Sequence, residues 1–252
     1  MLATSVAGPA LWRESDIVSI DCEMVGVAGP SCGPGSRGAT MNALCRVSLV
    51  THSAVGARTC LDTWVDVEEP VLDFRSPITG IDEDKYCSKA KMKFSEARRL
   101  VLKCISGKIV VGHAVWNDFE ALKIHHPHGL VRDTALYLPL RPPWRQGRLP
   151  SLRLLARHWL HEDIQDGIHS SVEDAIVALR LYKMHQAIWE GYLGNVLCGQ
   201  DGPAAGSGKG TGSGHIVWHS HALAIEMQRS RLIATLEACS SPESSLWSWG
   251  ED

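Results

Sequence analysis

Apolar and polar positions follow two different periods along this chain, and the switch between them outlines its architecture. Ile17 to Val27 is a run of β-branched and apolar residues that predicts a strand, and Leu44 to Thr51 and Cys60 to Val67 repeat the pattern. Gly29 to Gly38 is rich in glycine, proline and serine and reads as a loop, and Pro, Asp and Gly punctuate a connection over Glu69 to Asp84. The period then lengthens. Phe94, Ala97, Val101 and Cys104 recur at helical spacing within Phe94 to Cys104. Lys108 to Val111 is a short apolar strand ended by Gly112, and helices are predicted over Asn117 to Ile124, Leu152 to Leu160 and Ser171 to Trp189. Three neighbouring strands followed by helices that alternate with a strand predict a mixed β-sheet flanked by helices, an α/β or α+β layer fold.

The pattern ends before the chain does. Gly199 to Gly214 holds seven glycines in sixteen residues and reads as a flexible linker, and His215 to Cys239 beyond it has a helix-compatible composition. We therefore expect a folded domain over 13–192 and a linker with a C-terminal tail over 193–252. No apolar run reaches the roughly 18–20 residues that span a bilayer, so no membrane partner is expected. Met1 to Trp12 lacks a basic start and a long apolar stretch, so no secretory signal is expected either. The eight cysteines are scattered without a CxxC pair, which favours reduced thiols over a zinc or disulfide framework.

The net charge of −3 argues against a protein that coats nucleic acid, but not against a nuclease, in which clustered carboxylates lower the sum. Charge is uneven: from Arg132 to Arg157 six arginines face one acid, Asp133, for a local +5. That stretch is a candidate phosphate-facing edge.

Three short motifs carry candidate chemistry. In Ile20-Asp21-Cys22-Glu23-Met24, strand alternation puts Asp21 and Glu23 on one face, where like charges repel unless a hard divalent cation sits between them. A lone D-x-E is more often a solvated acidic face. Ile109 to His113 leads through Gly112 toward Asn117-Asp118, placing Asp118 near an open sheet end, although either residue could simply cap a helix. In His169-Ser170-Ser171-Val172-Glu173-Asp174, Ser170 and Glu173 have capping-box spacing. That leaves His169 just outside the helix and Asp174 in its second turn. A histidine there has a suitable pKa to accept a proton at neutral pH.

Together these phrases resemble the DEDDh 3′→5′ exonucleases, and within them the branch of interferon-stimulated and apoptosis-enhancing exonucleases and their ribosomal-RNA-processing relatives. The likeness rests on Asp21 to Gly26, Gly107 to Ala114 with Asn117-Asp118, Arg132-Asp133-Thr134, Pro150 to Arg153 and His169 to Ala175. It implies a ribonuclease-H-like fold and two Mg²⁺ or Mn²⁺ ions. Asp21 would bridge both, Glu23 and Asp174 would complete one, Asp118 would hold the other, and His169 would be the general base. It further implies single-stranded nucleic acid as partner, RNA favoured, cut to nucleoside 5′-monophosphates from a 3′ end, in the nucleus or nucleolus with the cytoplasm as alternative. Met24, Arg75, His113 and Asn117 are the expected substrate-binding residues, with Arg75 near the terminal ribose and Met24 against the terminal nucleotide. Competing readings keep the chemistry on DNA, or make the chain an inactive scaffold of the same fold.

Overall fold

Strand β1 (Ile17–Ala28) is the axis of the sheet. The computed structural model describes residues 12–29, 40–53, 56–144, 149–167 and 169–197. One edge of β1 pairs antiparallel with β2 (Thr40–Ser53), which pairs antiparallel with β3 (Gly56–Asp66). Both β1 and β2 run further than their apolar cores, with Ala28 opposite Thr40, so strand pairing reaches the flanks of the expected loop. The other edge of β1 is shared. Ile17 to Ser19 pair in parallel with β6 (Ile109–Gly112), and Gly26 and Val27 pair with β4 (Val71–Asp73). Among the described residues Ile20 to Val25 have no strand on that edge, and the site opens at this gap.

The sheet runs in the order β5–β3–β2–β1–β6–β7, where β5 is Lys91–Lys93 and β7 is Val131–Asp133. Two apolar layers cover it. On one face Ile17, Ile109 and Val111 pack against α5 (Leu152–Leu155) and α6 (Ser171–Leu197) through Leu155, Leu179, Tyr182 and Trp189. On the other, Val18, Ile20 and Val110 meet α3 (Phe94–Ile105) and α4 (Trp116–Leu122) through Val101, Phe119 and Leu122. β6 is buried on both faces, which is why its sequence is a continuous apolar run.

The connection Glu69 to Asp84 is more ordered than its punctuation suggests: it holds β4 and α1 (Ser76–Thr79) and enters α2 (Glu83–Cys87). The helix predicted over Leu152 to Leu160 is α-helical to Leu155 and continues as a π turn, Ala156–Leu160. α6 runs to Leu197, past the expected boundary at 192. The glycine-rich linker and the helix-compatible segment of the tail lie outside the described residues. No described helix is long and apolar enough to cross a membrane.

One arginine of the stretch, Arg132, does not face a phosphate edge. Arg132 is 2% exposed and doubly bonded to Glu190, with Nε–Oε1 and Nη2–Oε2 both 2.7 Å. Arg157 pairs with Asp163 and Arg153 with Asp166. Of this cationic run Arg132 is thus part of the core and Arg153 and Arg157 are paired at the surface, while Arg145 and Arg148 lie outside the described residues.

Candidate active site

The central strands set two rows of polar side chains in register on the face covered by α6. Asp21 stands opposite Ser48, and Ser48 opposite Asp62; Glu23 stands opposite Arg46, and Arg46 opposite Trp64. Arg46 grips Asp62 with two hydrogen bonds of 2.8 and 2.9 Å and lies over the Trp64 ring at 5.4 Å. Its charge opposes the repulsion at Asp21 and Glu23.

Asp174 arrives from α6. Its N–H donates to Ser170 O at 2.9 Å, the first bond of the helix, so it belongs to the first turn rather than the second. Ser171 docks that helix end on the sheet: its hydroxyl lies 2.7 Å from Ser48 Oγ, and its backbone N–H is bonded to the Glu23 carboxylate. A helix N-terminus favours the negative charge it meets there.

Asp118 comes from α4, in the opposite layer, and reaches the open edge of β1. There it accepts hydrogen bonds from the Cys22 thiol and from the Cys22 backbone N–H, which faces the edge where no described strand pairs. Gly112 makes this approach possible, because a Cβ there would meet Val115 Cγ2 at 2.8 Å and Ile20 O at 3.3 Å.

Asp133 is a residue whose role the sequence reading missed. Its buried carboxylate accepts the backbone N–H groups of Ala114 and Val115 at 3.0 Å and of Ala135 at 2.9 Å. It thereby shapes the turn that enters α4 and aims Asp118. Arg132-Asp133-Thr134 contains the residue, but β7 is too short to carry a period and nothing local in the sequence marks the role.

The four site carboxylates feel one another. Burial, then Asp118, Asp174 and Glu23, push Asp21 well above the usual carboxylate range. Burial and Asp174 raise Glu23 to about 7, burial raises Asp118 to about 8 against its Cys22 hydrogen bonds, and burial raises Asp174 to about 6. Glu23 Oε1 and Asp174 Oδ1 are buried without a hydrogen-bond partner. No three His, Cys, Asp or Glu side chains among the described residues close into a ready-made cation cage.

His169 stands at the rim, with Nδ1 3.5 Å from Asp174 Oδ2. Burial, then the charge of Arg153, hold its pKa below the ordinary value, so the ring is neutral at neutral pH. Its backbone N–H donates to Ile78 O at 3.0 Å, which ties it to α1 and so to Arg75, whose carbonyl starts that turn. Arg75 is left-handed, with φ 53°, its N–H on Asp73 Oδ1 at 2.8 Å and its Nη2 on Asn42 Oδ1 at 2.6 Å.

The remaining expected contacts are placed differently from one another. Met24 is half-buried beside a register shift in β1, against the layer of α3 and α4. Asn117 is exposed and holds Ala114 O through Nδ2 at 3.0 Å. Both ring nitrogens of His113 are engaged internally, Nδ1 with Thr134 Oγ1 at 3.0 Å and Nε2 with Pro150 O at 3.1 Å, and burial lowers its pKa to about 4. Only its ring face is left for a ligand.

A mixed sheet whose open central edge gathers four carboxylates and one neutral imidazole is a frame for hydrolytic chemistry on phosphate esters. The chain belongs to the exonuclease family (RNase T), whose sequence profile matches residues 18–182. It is 36% identical over 192 residues to RNA exonuclease 4 of Kluyveromyces lactis, covering 75% of this chain and 61% of that protein. It is 41% identical over 181 residues to the apoptosis-enhancing nuclease of Rattus norvegicus, covering 70% and 50%. Among solved structures it is similar to the Saccharomyces cerevisiae Pan2 pseudoubiquitin hydrolase–RNA exonuclease module in complex with AAUUAA RNA. The TM-score there is 0.58 at 29% identity, covering 72% of this chain and 31% of that one. The chain thus spans about half to three-fifths of the length of these curated relatives. The exonuclease family generally uses divalent metal ions.

Proposed function

We propose that the chain is a divalent-cation-dependent 3′→5′ exonuclease that releases nucleoside 5′-monophosphates from single-stranded RNA. The observation that carries the reading is the pair of orphaned oxygens, Glu23 Oε1 and Asp174 Oδ1, in a cluster with Asp21 and Asp118. Buried carboxylate oxygens without donors are costly, and a hard cation relieves both the desolvation and the repulsion. Asp21, Glu23, Asp118 and Asp174 would hold two ions, Mg²⁺ or Mn²⁺, which when bound supply positive charge to the attacked phosphate and its leaving oxygen.

The chain's own residues do the rest. His169, neutral and 30% exposed, takes the proton of the attacking water. Arg75, on the turn that carries His169, is the proposed reader of the terminal ribose, with Met24, Asn117 and the face of His113 beside the terminal nucleotide. The naming of relatives as RNA exonucleases supports RNA over DNA, and the family resemblance supports a nuclear or nucleolar location. The proposed catalytic domain, expected over 13–192, extends through α6 to Leu197, and the residues beyond it are the proposed tail.

Release of labelled mononucleotide from 3′-labelled RNA and DNA of one sequence, in Mg²⁺, Mn²⁺ and EDTA, tests this. Fast release from RNA with either metal and none in EDTA is expected. Undiminished cleavage in EDTA would refute the metal assignment, and equal rates on DNA would refute the substrate.

A further inference from the structure

Gln165 lies in the segment between the π turn and α6, four residues before His169, and the reaction as described makes no use of it. Its backbone is left-handed, with φ 56°, a conformation that residues other than glycine rarely hold without support. The support is visible. Its carbonyl accepts the Gly167 N–H at 3.0 Å and Arg153 Nη1 at 3.3 Å. The strained backbone aims the side chain inward, where Nε2 donates to Asp174 Oδ2 at 2.8 Å. The two oxygens of Asp174 are therefore unequal: Oδ2 has the amide, with His169 Nδ1 3.5 Å away, while Oδ1 is buried and bare.

We propose that Gln165 is a positioning residue that holds Asp174 by Oδ2 so that Oδ1 stays free and correctly turned to take a divalent cation. The choice of an amide is chemically apt. An uncharged donor fixes the carboxylate without neutralising it, whereas a lysine or arginine at that distance would compete with the cation for the same charge. Arg153 and Gly167 hold the backbone that carries the amide. Residues that orient a metal's carboxylate ligands are typically worth about ten- to a hundredfold in metal affinity.

This inference rests on the metal reading proposed above, and two variants separate it from a merely structural role. Gln165→Met keeps length and bulk but removes the donor; Gln165→Gly removes the side chain while favouring the left-handed turn. Mn²⁺ binding to the substrate-free chain, followed by the electron paramagnetic resonance of free Mn²⁺, is compared with melting in EDTA. The expected result is an about ten- to a hundredfold weaker Mn²⁺ affinity in both variants, with the Gln165→Gly chain melting in EDTA no lower than the parent. Affinity within twofold of the parent in either variant overturns the proposal. So does a collapse of both variants in EDTA, which would make Gln165 a brace for the turn. A parent chain that binds no Mn²⁺ overturns the metal reading itself and this inference with it.

Discussion

Ser48 and Ser171, 123 residues apart in sequence, bring their hydroxyl oxygens within 2.7 Å of each other. The contact joins the middle of β2 to the first residue of α6. Because Ser48 is the register partner of Asp21, it also sets where Asp174 stands relative to Asp21. Ser48 can give its own hydrogen to Asp62 Oδ1 at 3.0 Å, in which case Ser171 is the donor of the pair. Ser171→Ala is expected to cost about 1 kcal/mol, the net worth of one such bond. In a chain of this size that is about 2–4 °C of melting temperature. Turnover at saturating cation should fall with it, and a variant that melts and turns over like the parent would show that the helix end is docked by something else.

The metal-free protein is expected to lose stability as pH rises from about 6.5 to 8. Carboxylates raised in the folded state stabilise it fully below their ordinary values and lose that contribution as pH climbs through the raised ones. For Glu23 these lie at about 7 and for Asp118 at about 8. Burial of His113, at about 4, works in the opposite sense, but only below the ordinary histidine value of 6.5. Melting in EDTA across this interval checks the sign, and added Mn²⁺ should reverse it. A melting temperature that rises with pH in EDTA would contradict the repulsive cluster.

His169→Ala should lower turnover by about 10²–10⁴-fold, the range for a general base, with little change in RNA affinity. Truncation leaves the loop in place, because its anchor is the backbone N–H on Ile78 O and not the ring. Near-normal turnover across pH 6–8 would assign the proton to another group.

Arg75 is open to two substitutions that separate its backbone from its guanidinium. A hydrogen bond from a charged donor to the terminal 2′-hydroxyl is worth about 1.5–3 kcal/mol, or about 10–150-fold in preference for RNA. Both Arg75→Ala and Arg75→Gly should lose that preference. The glycine chain should be more stable than the alanine chain by about 1 kcal/mol, since φ is 53° at this position. Equal losses on RNA and DNA would make the side chain a phosphate clamp.

Glu190→Ala should destabilise the fold by about 3–5 kcal/mol, because it strands the Arg132 guanidinium in the core. Two backbone carbonyls, Gly129 O and Val131 O, would be its remaining acceptors, and Tyr182 would lose its bond to Glu190 Oε1. Urea denaturation measures the cost, while RNA affinity of the folded variant should not change. A loss below about 1 kcal/mol, the worth of a surface pair, would show that the pair is solvated.

What the sequence determined by itself followed from periodicity and order. Asp21 and Glu23 had to share a face because a strand repeats every two residues. The long strands and the helices of α3, α4 and α6 were legible from runs long enough to carry a period. The three-residue strands β4, β5 and β7 were not, since so short a segment has no period and becomes a strand only by pairing. Tertiary structure alone decided how charge was spent. The arginines after Val131 read as one cationic run, yet burial against Glu190 made Arg132 part of the core. Asp133 and Gln165 have ordinary local contexts, and their roles exist only because distant backbone groups and Asp174 come within hydrogen-bond reach. Hydrophobic pattern is written along the chain, but a hydrogen bond between distant residues is settled only when the layers close.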